Sequence, residues 1–98
     1  MHLDRHRMTL CHGDGEAFLT AGEFKVAEAL TAHPGWVVSP AQLMAGFAPF
    51  SNPAGVGHYI RRLRAKMRKI GGADDWIRTH RGLGYSWQGE KQPKGEDR

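Results

Sequence analysis

The sequence predicts an α+β domain in which short N-terminal antiparallel strands lead into three helices and the chain closes on a β-hairpin. Three observations carry that prediction. A helix-start signature occurs twice, as Thr20-Ala-Gly-Glu23 and Ser39-Pro40-Ala-Gln42. The stretch Val56 to Ile70 places apolar residues at helical spacing. Strand-forming residues gather at the two ends of the chain, around glycine-containing turns.

Leu3 to Leu19 reads as short strands: Arg7 to Cys11 and Glu16 to Leu19 flank the turn residues His12-Gly-Asp-Gly15. Asp14-Gly15 is the expected pivot, because positive φ costs glycine nothing and is tolerable for aspartate. The first helix should begin at Thr20, whose hydroxyl can accept from the N–H of Glu23 while that carboxylate reaches back to the N–H of Thr20. Phe24, Val26, Ala27 and Leu30 would form its buried side, and Pro34-Gly35 would end it. Trp36, Val37 and Val38 make an apolar connection. Ser39 as N-cap and Pro40 at the first position then start a short second helix with Leu43, Met44 and Phe47 on its buried edge, ending near Gly46 or Phe47. Ala48 to Pro53 is a loop carrying Phe50 between two prolines.

The third helix, about residues 54–70, carries most of the functional information. Val56, Ile60, Leu63, Met67 and Ile70 recur at a spacing that, at about 100° per residue, lines them up as one stripe. His58, Arg61, Arg62, Ala65 and Lys69 project away from it. Six bases fall between Arg61 and Lys69, and no Asp or Glu occurs between Glu28 and Asp74. A basic helix face is usually a solvated one, but solvated faces mix signs because i,i+4 pairs of opposite charge favour the helix. This face does not mix them, and its repulsion has no compensation nearby in sequence, which points to a polyanion partner. Gly55 and Gly57 predict a loose first turn or a close approach of the backbone to another element. Gly71-Gly72 ends the helix. Trp76 to Trp87 then alternates strand formers around Arg81-Gly-Leu-Gly84, a hairpin with a basic tip. The polar stretch 89–98 reads as a disordered tail, leaving 1–88 as the domain.

Composition bounds the reading. With 98 residues and 40% apolar composition, the chain can build one modest core. Its net charge of +4 and pI near 9.6 suit an anionic partner without deciding which. No apolar run approaches a membrane span and the first residues lack a signal-peptide core, so a cytoplasmic protein with no membrane partner is expected. The single Cys11 allows no internal disulfide.

In the order hairpin, three helices, hairpin, the turn between the last two helices makes a helix-turn-helix. Its basic third helix can enter a major groove about 12 Å wide, while the terminal hairpin lies beside it as a wing, about 76–87, whose Arg81 reaches a minor groove. The motifs that define this arrangement are Leu19-Thr20-x-x-Glu23-Phe24, His33-Pro34-Gly35-x-Val37-Val38-Ser39, Leu43, Ile60-Arg61-Arg62-Leu63-Arg64-x-Lys66-Met67 and Ile77-Arg78-Thr79-x-Arg81-Gly82-x-Gly84-Tyr85. Together they resemble the C-terminal winged helix-turn-helix domain of the OmpR/PhoB response-regulator family of bacteria, in order and spacing from Leu19 to Trp87.

The resemblance implies sequence-specific binding of double-stranded DNA and transcriptional regulation. It assigns Arg62 to a base edge, since arginine pairs with the O6 and N7 acceptors of guanine. It assigns His58, Arg61 and Arg64 to phosphates or mixed contacts, Lys69 to the same basic face, Thr79 to the backbone and Arg81 to the minor groove. The loop holding Phe50 corresponds to one that can touch RNA polymerase, and two copies can sit head to tail on direct repeats. Family members usually carry a phospho-acceptor receiver domain, which this chain lacks; a stand-alone regulator and an excised domain are both compatible with that. The family commonly has polar residues where this chain has Ala54, Gly55 and Gly57, so its target should differ. A module of the same fold that grips RNA polymerase or another regulator, with little DNA sequence preference, is the competing reading.

Other chemistries fare worse. His2, His6, His12 and Cys11 read better as exposed strand and turn residues than as a ligand set, so neither a metal nor another cofactor is expected. The chain has no nucleophile elbow, and Gly82-x-Gly84 is too short for a dinucleotide fingerprint, so no enzyme is expected. Trp36, Trp76 and Trp87 read as core or core-edge residues rather than base-stacking platforms.

Overall fold

A computed structural model describes residues 2–45, 55–72 and 76–89. The first seventeen of these form a three-stranded antiparallel sheet of β1 (His2–Asp4), β2 (Thr9–His12) and β3 (Gly15–Phe18) in sequential order. Leu3 pairs with Leu10 and Leu10 with Ala17, which brings three apolar residues to one face, with Leu10 and Ala17 buried. His12 pairs with Gly15, so the turn is Gly13-Asp14 and its left-handed residue is Gly13 at φ 57°. The sequence reading put the pivot one residue too late. A two-residue loop places its strained position first, and glycine occupies it.

The helix α1 (Ala21–Thr31) starts as its sequence requires. Thr20 Oγ1 accepts from the N–H of Glu23 at 3.2 Å, and Glu23 Oε1 accepts from the N–H of Thr20 at 2.9 Å. The α2 helix (Pro40–Leu43) repeats the device with Ser39 and Gln42. It is one turn long, shorter than the expected end near Gly46 or Phe47, because Met44 leaves helical geometry at ψ 6° and caps it. Phe47, the Phe50 loop and the tail beyond Gly89 lie outside the described residues.

The wing consists of β4 (Ile77–His80) and β5 (Gly84–Trp87), paired from Ile77↔Trp87 to His80↔Gly84. Its far edge is joined to the connection before α2: Val38 N–H donates to the Tyr85 carbonyl at 2.7 Å, and Tyr85 N–H donates back to Val38 at 3.0 Å. Only glycine fits at position 84, since a Cβ there would stand 2.1 Å from the Val38 carbonyl oxygen and φ is 151°. Val38 is buried by this bridge, but Trp36 is 64% exposed and stacks on His33 with ring centroids 4.4 Å apart. Trp36 is therefore not core, contrary to expectation, whereas Trp87 is buried and Trp76 partly buried. Four residues before Ser39 the chain turns outward at Gly35, with φ 84°, which aims the next side chain at solvent.

The third helix, α3 (Val56–Lys69), completes the core. Val56, Ile60, Leu63 and Met67, with Ile70 just beyond, are all buried among Phe24, Val26, Ala27 and Leu30 of the first helix, Leu43 and Ile77. Burying side chains of this size contributes about 1.5 to 3 kcal/mol each, which anchors one face of α3 and leaves the other outward. Gly57 sits inside a regular helix with the Tyr85 hydroxyl 3.9 Å from the position of a Cβ, so no close backbone approach requires it.

Candidate nucleic-acid interface

The outward side of α3 carries His58, Arg61, Arg62, Ala65, Arg68 and Lys69, all exposed, and no acid. The sequence leaves that helix nowhere else to turn: each of its large aliphatic residues is already committed to the core. Arg81 and Leu83 are exposed at the wing tip, where Gly82 takes φ 75° and Leu83 N–H donates to the His80 carbonyl at 2.9 Å. The tip is thus a defined turn. A shallow hollow lined by Pro40, Thr79, Arg81 and Tyr85 separates it from the start of α2.

Both flanks of α3 are fastened to the body, and by its own bases. On the flank facing the wing, Arg64 Nη2 donates to the Ile77 carbonyl at 2.7 Å and to Thr79 Oγ1 at 3.0 Å. Arg64 and Thr79, expected at the DNA backbone, are thereby brought into contact with each other; Nη2 is used and the other guanidinium nitrogens keep their donors. On the opposite flank, Lys66 Nζ donates to Glu23 Oε1 at 2.5 Å and to the Phe18 carbonyl at 2.8 Å. Tyr59 on the same flank packs on Gly22, where a Cβ would meet the ring at 2.6 Å. The helix is held between the foot of α1 and the first strand of the wing.

Glu23 corrects the view that the basic helix has no compensation. Its side chain is 1% exposed, lies 4.0 Å from Arg62 Nη1 through Oε2, and binds Lys66 through Oε1. Burial pushes its carboxyl up. The hydrogen bonds from Lys66 and the Thr20 N–H, with the charges of Lys66 and Arg62, outweigh that and hold it below the ordinary glutamate value. One negative charge therefore sits under the basic surface, supplied from forty-three residues away in sequence. Two positive side chains converge on it. Removing Lys66 would strand the buried Glu23 charge.

The sequence reading recognised Glu23 only as a helix cap and Lys66 only as part of a basic run. A signal was present: Glu23 stands beside Phe24, Val26 and Ala27 on the side of α1 that enters the core. Lys66 precedes buried Met67 at the border of the apolar stripe. Arg61, Lys69 and Arg81 make no ion pair with any described residue. His58 lies against the Tyr59 ring, with centroids 5.9 Å apart. Phe50 lies outside the described residues. In the N-terminal sheet, Cys11 contacts Thr9 and Glu16, and no cluster of three or more His, Cys, Asp or Glu forms among the described residues. No helix among them is long and apolar enough to cross a membrane.

Comparison with known proteins agrees with this geometry. The family model described as the C-terminal domain of transcriptional regulatory proteins matches residues 14–87. The chain is 40% identical over 74 residues to the transcriptional regulatory protein CreB of Escherichia coli (strain K12), the match covering 72% of this chain and 32% of that protein. It thus spans about a third of the length of that curated relative. Among solved structures, the C-terminal domain of the nisin resistance regulator NsrR, a lantibiotic response regulator, matches with a TM-score of 0.75 at 32% identity, over 92% of this chain and 93% of that one. The chain belongs to the OmpR/PhoB-type family of transcriptional regulatory C-terminal domains, which are DNA-binding effector domains and not enzymes.

Proposed function

We propose that this chain reads duplex DNA by sequence, with α3 in the major groove and the wing at an adjacent minor groove, and thereby directs transcription. The observation that carries the proposal is the outward face of α3: a helix fastened along three sides presents only bases, a histidine and Ala65 on the fourth. Arg62 reaches a base edge, where a bidentate arginine–guanine pair contributes about 1 to 3 kcal/mol of discrimination. His58, Arg61 and Lys69 lie along phosphates and fix register. Arg64 adds its remaining donors to the backbone contact beside Thr79, and Arg81 enters the minor groove, whose negative potential attracts arginine.

Substitution tests these roles. Arg62→Ala should lose about 1 to 3 kcal/mol on a selected site and relax the preference at one position, whereas Arg61→Ala should weaken all sites alike and lower the salt slope by about one. Equal losses for Arg62→Ala on selected and random DNA would remove it as the base reader. Two copies on direct repeats would bind head to tail, which a gel shift on one and two half-sites resolves. Contact of Phe50 with RNA polymerase predicts that Phe50→Ala spares DNA binding and lowers transcription; unchanged transcription removes that contact.

A further inference from the structure

We propose that Glu23, at the foot of α1, is a positioning residue for DNA recognition: its buried Oε2 tethers the Arg62 guanidinium, so that the base-reading side chain is ordered before DNA arrives. The inference rests on the reading of Arg62 as the base contact and adds a second residue to it. Glu23 is a fixed anchor. Its Oε1 accepts from the Thr20 N–H at 2.9 Å and from Lys66 Nζ at 2.5 Å, and Lys66 is held in turn by the Phe18 carbonyl at 2.8 Å. Its Oε2 is buried and accepts no hydrogen bond, and the Arg62 guanidinium approaches it through Nη1 at 4.0 Å.

A buried carboxylate oxygen without a donor attracts whichever cation can approach it. Arg62 is placed to do so without leaving the surface, since its side chain remains 54% exposed. A guanidinium carries five N–H donors in a rigid plane, and Arg62 approaches Glu23 through Nη1. The other edge stays available for a base. Arginine is otherwise among the side chains that lose most rotamer freedom on ordering, so a partner that restricts it in the free protein favours the bound geometry. Arg61, one residue earlier and exposed, has no such anchor among the described residues.

The variant Glu23→Gln isolates the charge, because the chain itself shows that glutamine serves as well at this position of a cap: Gln42 Oε1 accepts from the Ser39 N–H at 2.9 Å. Affinity for a selected duplex and for a scrambled one would be measured for wild type, Glu23→Gln, Arg62→Ala and the double variant. A tether predicts that Glu23→Gln lowers the ratio of the two affinities by about tenfold, within what one arginine–guanine pair supplies, without weakening the scrambled duplex. It also predicts that the same change leaves the ratio unaltered in the Arg62→Ala background. If Glu23 serves only to hold Lys66, removing its charge raises both affinities together and the ratio stays, which overturns the proposal. Absence of any discrimination by the wild type overturns the reading of α3 and the tether with it. A second measurement needs no variant. The ¹⁵Nε order parameter of Arg62 in the free protein should exceed that of Arg61, and equal mobility of the two contradicts the tether.

Discussion

Truncation of Arg64 to alanine separates a base that builds the interface from one that merely lies on it. The half-buried side chain ties the middle of α3 to the wing through Ile77 O at 2.7 Å and Thr79 Oγ1 at 3.0 Å. A hydrogen bond from a charged donor to a carbonyl contributes about 1.5 to 3 kcal/mol, and the second, on an exposed hydroxyl, adds about 0.5 at most. Arg64→Ala should therefore cost about 2 kcal/mol. At a urea dependence of about 1.5 to 2 kcal/mol per molar, usual for a domain of this size, the midpoint falls by roughly 1 M with an unchanged slope. The matched control is Arg61→Ala, exposed and outside any such tie, which should stay within about 0.5 kcal/mol of the wild type. Thr79→Val removes one acceptor, leaves the bond to Ile77 and should cost less than about 1 kcal/mol. Equilibrium urea unfolding followed by tryptophan fluorescence reads all four proteins, since Trp76 and Trp87 flank the wing. An Arg64→Ala midpoint indistinguishable from that of Arg61→Ala would refute the clamp and return Arg64 to a surface role.

Three further outcomes follow from the same structure. The Glu23 carboxyl is held below its ordinary value, so its contribution to stability is complete above the ordinary glutamate range and is lost as pH falls through the depressed folded value. The stability difference between wild type and Glu23→Gln, measured in urea from pH 7 to pH 3, should shrink toward acid; a constant difference would contradict the pairing. Gly84→Ala should destabilise by about 2 kcal/mol or more, because a Cβ would overlap the Val38 carbonyl and the backbone conformation is strained for alanine. Gly57→Ala, with 3.9 Å to its nearest neighbour in a regular helix, should instead stabilise by about 0.5 to 1 kcal/mol in thermal unfolding. A destabilised Gly57→Ala would show that the start of α3 needs a freedom its geometry does not express.

What could be read from the sequence was whatever is decided within a few residues. Both capping boxes, the apolar stripe of α3 and the hairpin of the wing depend on spacings of three, four or two, and all three formed. The N-terminal hairpin also formed, with β1 added beside it as a third strand, although its turn moved by one residue because hairpin register is set by both strands together. What escaped notice depends on tertiary partners. Lys66 finds its acid on the first helix, Arg64 finds a carbonyl in the wing, and Val38 becomes a third edge on Tyr85. None of these has a local pattern. The exposed Trp36 failed for the converse reason: an aromatic in an apolar connection reads as core, but the left-handed Gly35 turns it outward onto His33. The basic face of α3 was therefore legible, while the division of its bases into those that fasten the helix and those that face outward was not.

Selection of binding sites from a random duplex library, followed by affinities for the winning site and a scrambled control at 50 and 200 mM salt, tests the central claim most directly, because charge alone can mimic binding at low salt. The account predicts a defined motif bound about 10³-fold or more tightly than the control at both salt concentrations, as specific regulators are. Weak, steeply salt-dependent binding without sequence preference would contradict it, and would leave the outward face of α3 as an electrostatic handle for a protein partner.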